Sequence, residues 1–118
     1  GNPGFDFHTE SHSLLIAYGE SKYSGDDTPY TNAITQICGF IELKKDIIEL
    51  KDLSRFVSAD ATRNAMEGHR AFIAAFSINA MQPNKIFENI LISEHIIPLL
   101  SYPELYLIGV EVCASENS

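Results

Sequence analysis

Two short apolar stretches near the ends of the chain bracket a long central region in which apolar residues recur at helical spacing. Residues 12–18 contain a run of apolar side chains, and residues 105–113 alternate in polarity and are rich in β-branched residues, so both stretches predict strands. Two lone strands are not stable alone, so we expect them to pair with each other or with a partner's strands. The sequence therefore predicts an α+β fold in which three or four helices pack with a small sheet formed by an N-terminal and a C-terminal strand.

Capping and breaking residues divide the central region. Thr31 can cap a helix whose periodicity persists to residue 57, with Gly39 as the expected break. A second helix is expected over residues 58–82, and a third over residues 84–97. Apolar residues cover both sides of this last helix, which predicts that it is the central, buried one.

Length and composition predict one globular domain over residues 1–118. The chain is 45% hydrophobic and 20% charged, which is typical of folded domains. It begins at Gly1 instead of Met, so residues 1–10 are expected to be disordered or of artificial origin. No apolar run is long enough to cross a bilayer. We expect a soluble protein, and the sequence leaves open whether it is cytoplasmic or exported.

The charge of the chain argues against anionic partners. Sixteen acidic and eight basic side chains give a formal net charge of −8, which repels phosphate backbones and anionic lipid surfaces. The basic residues of the central region alternate with acidic ones, so no basic face is left over. We therefore expect no binding of nucleic acid and no insertion into membranes.

The common chemical motifs are absent. The sequence contains no signature of nucleotide binding, zinc peptidases, esterases or calcium-binding loops. Its two cysteines, Cys38 and Cys113, lie far apart in sequence and form no CxxC pattern. The sequence therefore leaves open whether they form a disulfide or are two free thiols. No cofactor is predicted from these patterns.

One short segment carries the ligand types of a transition-metal site. His8, Glu10 and His12 alternate, and residues two apart on a strand share a face. Imidazole and carboxylate groups bind divalent ions such as zinc, nickel or iron. The alternative interpretation is a polar strand edge or a frayed terminus.

A second hypothesis follows from the predicted helices. At 100° per residue, His69 falls at the centre of the apolar stripe of the helix over residues 58–82, and Glu94 falls inside the apolar face of the next. Two consecutive helices joined by a short turn are expected to be neighbours, so the two side chains could meet. A buried pair of this kind is a structural hydrogen bond or, less often, a catalytic dyad.

The function predicted from these features is a small acidic protein-interaction or accessory module that binds another protein or forms a homodimer. The tyrosines of residues 18–30 suit such recognition. The alternative is a small-ligand-binding domain or simple enzyme with an inter-helix pocket that contains His69 and Glu94, with Tyr18 or Tyr106 at its mouth. Absence of catalytic signatures favours the first.

Overall fold

The computed structural model describes residues 4–23, 29–78 and 83–111, which form one mixed sheet and a set of helices. The elements follow in the order β1 (Phe7–Glu10), β2 (Ile16–Lys22), α1 (Pro29–Glu42), α2 (Lys45–Leu53), α3 (Ala59–Met66), β3 (Ala71–Ile78), α4 (Pro83–Leu91), a 3-10 helix (Glu94–Ser101) and β4 (Glu104–Glu111). The α+β class is as predicted, whereas the arrangement of the strands differs.

The sheet has the strand order β1-β2-β3-β4. β1 pairs antiparallel with β2, while β2, β3 and β4 run parallel to one another. The prediction that the N-terminal and C-terminal strands pair with each other is therefore wrong, because β1 and β4 occupy opposite edges. The sheet has four strands within one chain, so the argument that lone strands require a partner subunit also loses its basis.

The helices cover one face of the sheet. Alternate side chains of the strands enter the same core as the helices, because successive residues of a strand point to opposite faces. Tyr18, Phe72 and Phe76 are fully buried from the strand side, and Ile34 and Ile37 of α1 pack on them. Burial of this aromatic and aliphatic surface is the main driving force for docking α1 on the sheet.

The other face of the sheet carries no helix in the described part of the chain. Its middle is filled by small or compact side chains, Leu15, Ala17, Ala71 and Ile73, with Phe7 packed beside them. Along β4 the same face is half open. It presents partly exposed tyrosine, isoleucine and valine side chains.

The helix predicted over residues 58–82 is wrong in its second half. α3 ends at Met66, and the amides of Gly68 and His69 bond back to the carbonyls of Ala65 and Asn64, which is a Schellman cap. Gly68 has a backbone φ angle of +93°, which residues with a Cβ atom rarely adopt. The chain then continues as β3, in which seven of the eight residues are buried, on both faces of the strand.

The third predicted helix is also shorter than expected. α4 ends at Leu91, and Ser93 caps a separate 3-10 helix that contains Pro98. Ile90 is buried while Leu91 and Ile92 are exposed, so this region lies at the surface of the helical layer instead of at its centre. Among the described residues, no helix has both the length and the apolarity to cross a bilayer.

The break between the first two helices comes later than predicted. Lys44, not Gly39, separates α1 from α2, and it adopts a left-handed backbone conformation at φ 59. The expectation of disorder in the first ten residues fails for the described ones, because residues 7–10 form β1 and Phe5 is buried in the core.

Candidate functional site

Two carboxylates and an amine meet where β1 begins and β2 ends. The register pairs Phe7 with Gly19, and the amide of Asp6 donates to the Gly19 carbonyl at 2.9 Å. Asp6 precedes the paired strand, and its charge acts on the carboxyl of Glu20, which shares its face of β2 with Tyr18. Lys22 lies two residues further along β2 on that same face.

Glu20 is the buried member of this group. Its side chain is 2% exposed, and its Oε1 atom has no hydrogen-bond partner among the described residues. The Oε2 atom lies 3.6 Å from the Lys22 Nζ atom, which is an ion pair without a short hydrogen bond. Burial raises the pKa of the Glu20 carboxyl, and the nearby charge of Asp6 raises it further, whereas Lys22 opposes both.

Asp6 is exposed but held in place. Its Oδ2 atom accepts hydrogen bonds from the Ser21 amide at 3.0 Å and from the Ser21 hydroxyl at 3.2 Å. Both partners belong to Ser21, the residue after Glu20, so β2 itself fixes the position of the Asp6 carboxylate. The result is one fixed carboxylate at the surface, one buried carboxylate near it, and an ammonium group 3.6 Å from the buried one.

This arrangement can hold a divalent cation. A buried carboxylate costs several kcal/mol unless a charge or hydrogen bonds compensate it, and Lys22 does so only in part. Within residues 4–23, 29–78 and 83–111, no three His, Cys, Asp or Glu side chains are grouped to hold a metal ion. Two carboxylates suit magnesium, which keeps several waters and binds substrate phosphates, better than zinc or calcium, which take more protein ligands.

The three residues of the predicted metal site, His8, Glu10 and His12, are not grouped in the structure. His8 and Glu10 share a face of β1 as predicted, but the His8 Nε2 atom is 2.6 Å from Glu49, and Glu10 accepts bonds from the Ser58 amide and hydroxyl at 2.8 Å. His12 is exposed beyond the end of the strand. The structure therefore ties the first two residues to α2 and to the cap of α3, and it does not bring the three together.

His69 and Glu94 do not form the predicted buried pair. His69 is exposed in the turn before β3, and Glu94 is exposed at the start of the 3-10 helix. The helical faces that would have buried them do not exist, since one segment is a strand and the other is split. The prediction that His69 is buried and bonded to Glu94 is wrong.

The two tyrosines proposed for a pocket mouth lie on opposite faces of the sheet. Tyr18 is fully buried, and its hydroxyl donates to the Asp46 carbonyl at 2.7 Å. Tyr106 is 40% exposed on the face without helices, and its hydroxyl donates to Glu104 at 2.7 Å. They cannot line one pocket.

The cysteine question stays open. Cys38 is a partly buried free thiol, and burial raises its pKa. Cys113 lies outside the described residues, so the alternative of a disulfide is not tested.

A second buried carboxylate was also missed by sequence reasoning. Asp46 is 1% exposed at the first turn of α2, and its Oδ2 atom lies 2.9 Å from the Arg70 Nε atom. The contact is close but poorly aligned for a hydrogen bond, so it acts as an ion pair. Arg70 also donates to the Ala65 carbonyl and lies over the Tyr102 ring, so it ties α2 and α3 to the sheet.

A signal for the Glu20 site was present in the sequence. Glu20 and Lys22 directly follow a buried apolar run and are spaced by two, which places both on one face if the strand continues. Glycine at position 19 made this region look like the start of a loop. In the structure Gly19 lies inside β2, and the Phe7 ring occupies the space that a Cβ atom at this position would need.

Comparison of the chain with models of protein families, with curated proteins and with solved structures found no significant match.

Proposed function

We propose that the protein hydrolyses a phosphate ester at a magnesium or manganese site formed by Asp6 and Glu20, with Lys22 beside it. The observation that carries this proposal is the Glu20 carboxylate, which is 2% exposed, has one oxygen without a partner among the described residues, and lies near the charge of a second carboxylate, Asp6. A bound cation would satisfy this oxygen and neutralise both charges.

The chemistry of the three groups supports a phosphate substrate. A magnesium ion on two carboxylates keeps open positions that phosphate oxygens and water fill. It lowers the pKa of a bound water and stabilises charge on the phosphoryl group. The Lys22 ammonium adds a fixed positive charge where negative charge grows on the phosphoryl oxygens.

The proposed reaction is hydrolysis. The water oxygen forms a new bond to phosphorus, and the bond from phosphorus to the ester oxygen breaks. The water releases one proton to solvent, and the leaving oxygen takes one up to become an alcohol. No oxidant, reductant or second substrate is needed.

The shared chemistry of the substrate is a phosphate ester, either a small molecule or a nucleic acid. The net charge of −8 opposes the approach of long polyanions, whereas it affects a small ester less. The test therefore includes both a small diester and polymeric substrates.

Titration of the protein with manganese, followed by hydrolysis of bis(p-nitrophenyl) phosphate, a mononucleotide, single-stranded DNA and a DNA duplex, tests the proposal. We expect one bound ion per chain, and a loss of binding in Asp6→Asn and Glu20→Gln. Lys22→Met should still bind the ion but lose about 10²–10³-fold in turnover. Glu104→Gln, a carboxylate on the other face of the sheet, is the matched control and should change neither quantity.

Manganese binding that survives Glu20→Gln would overturn the site. Binding without turnover of any phosphate ester would overturn the reaction and leave the cation site standing. Cleavage of only the small esters would identify a small molecule as the substrate, and cleavage of only the polymers would identify a nucleic acid.

A second candidate function is the protein-interaction module predicted from composition, acting on another protein or as a homodimer. The observation that favours it is the uncovered sheet face along β4, where Tyr106, Ile108 and Val110 are 40–47% exposed. Light scattering at micromolar concentration tests self-association. A mass near the 13.1 kDa of one chain would contradict the homodimer.

A further inference from the structure

The outer edge of β4 is an unprotected strand edge in the described part of the chain. β4 is the last strand of the sheet, and β3 pairs with it over all eight residues on the inner side. Proteins usually protect such an edge with charges, prolines or bulges. The central part of β4, residues 105–110, contains no charged residue and no proline, and its pairing is regular.

The two faces of β4 differ in what they offer to a partner. On the helix side, Gly109 leaves room for Ile78 and Phe87, so this face is filled from within the chain. On the other face, Tyr106, Ile108 and Val110 form an apolar row that no described element covers. The free backbone edge and this row together suit an added strand that continues the sheet.

Charge indicates what kind of strand fits. β4 begins with Glu104, on the face of the apolar row, and ends with Glu111, on the helix side, so both ends of the free edge are acidic. The whole chain carries a net charge of −8, which attracts a basic partner at long range and repels another copy of itself.

We propose that the edge of β4 binds an extended basic segment of a partner protein by strand addition. The segment would place apolar side chains beside Tyr106, Ile108 and Val110, and lysine or arginine near Glu104 and Glu111. Backbone hydrogen bonds along the edge would provide affinity, and the charged ends would select the partner. This interaction is independent of the Glu20 site, which lies on the other face of the sheet.

Fluorescence anisotropy with two labelled peptides of the same length as β4 tests the proposal. Both alternate valine and threonine; one has lysine at each end and the other has glutamate. We expect the lysine peptide to bind about three- to tenfold more tightly at low salt, since two cross-strand charge pairs contribute this much. Glu111→Lys should reduce or reverse this preference.

Ile108→Lys should weaken binding of the lysine peptide at least tenfold, because it places a charge in the apolar row. Ile97→Lys is the matched control, since Ile97 is also an exposed isoleucine, on the 3-10 helix, at 61% against 47% for Ile108. Circular dichroism verifies that both variants are folded. If Ile108→Lys does not fold, Val110→Thr, which keeps the shape of the side chain, replaces it and should weaken binding severalfold.

Failure of both peptides to bind, or equal binding of the lysine and glutamate peptides, would overturn the proposal. Self-association that Ile108→Lys abolishes would also overturn it, because the occupant of the edge would then be a second copy of this chain.

Discussion

Glu20 and Asp46 are both buried carboxylates, but their surroundings differ. Asp46 has Arg70 at 2.9 Å, and its backbone carbonyl accepts the Tyr18 hydroxyl. Glu20 has a partly exposed lysine at 3.6 Å, the backbone amide of Asp6 and the carboxylate of the same residue nearby. Burial raises the pKa of both groups, but Arg70 opposes this shift at Asp46. The first arrangement holds elements together, whereas the second pairs a buried carboxylate with a lysine at the surface; in both, one carboxylate oxygen, Oδ1 of Asp46 and Oε1 of Glu20, has no partner among the described residues.

The largest expected effect comes from breaking the ion pair at Asp46. Arg70→Met should lower the free energy of unfolding by about 3–5 kcal/mol, because it leaves a buried carboxylate without its cation. The double variant Asp46→Asn/Arg70→Met should be less destabilised, since no stranded charge remains. Chemical denaturation of the single and double variants measures this. Equal losses in both would mean that packing of Arg70, and not charge, stabilises the network.

Cation binding should stabilise the protein through Glu20 and not through Asp46. Magnesium at 100 times its dissociation constant is expected to add about 2.7 kcal/mol to the free energy of unfolding. Glu20→Gln should abolish the gain, and Tyr18→Phe, beside Asp46, should retain it. Denaturation with and without the ion provides the measurement. A gain that persists in Glu20→Gln would place the cation elsewhere.

Without a cation, Glu20→Gln should stabilise the protein by about 1–3 kcal/mol near pH 7, because it removes an incompletely compensated buried charge. The pKa of Glu20 is raised in the folded state, so between the unfolded and folded pKa values the native state binds more protons. Its contribution to stability is present below the unfolded pKa and is lost as the pH rises through the folded pKa. The gain from Glu20→Gln should therefore grow across this window, as denaturation at a series of pH values would measure. A gain that does not change with pH would contradict the assignment.

The smallest expected effect concerns one buried hydrogen bond beside Asp46. Tyr18→Phe removes the 2.7 Å bond to the Asp46 carbonyl and should cost about 0.5–1.5 kcal/mol. Tyr106→Phe removes an exposed bond of the same length and should change stability by less than about 0.5 kcal/mol. Denaturation of the pair compares them directly. Equal effects would show that Tyr18 contributes through packing alone.

Sequence periodicity predicted α1 and β4, each of which has one polar face, but it did not predict β3, which has none. α1 and β4 were expected close to their observed positions, because each alternates between buried and exposed residues. For the residues of β3 the sequence predicts the continuation of a helix, since Phe72, Ile73 and Phe76 also fit helical spacing. A strand buried on both faces has no period of its own, and Gly68 was the available sign that the helix ends.

The candidate site could be predicted only in part for the same reason. Glu20 and Lys22 are close in sequence, and extending β2 by a few residues would have put them on one face. Asp6 is fourteen positions away from Glu20, and only the pairing of β1 with β2 brings the two residues near each other. The pairing of Asp46 with Arg70 depends in the same way on how α2 packs against the start of β3.

The sequence by itself determined the α+β class, the acidic charge, the capping of several elements and the absence of familiar catalytic motifs. These follow from local preferences and from composition, which need no knowledge of neighbours in space. The tertiary structure alone decided the strand order, the burial of Glu20 and Asp46, and the free edge of β4. Each of these depends on contacts between residues far apart in the chain, because packing, and not local preference, sets which polar groups lose water and which strand is left without a neighbour.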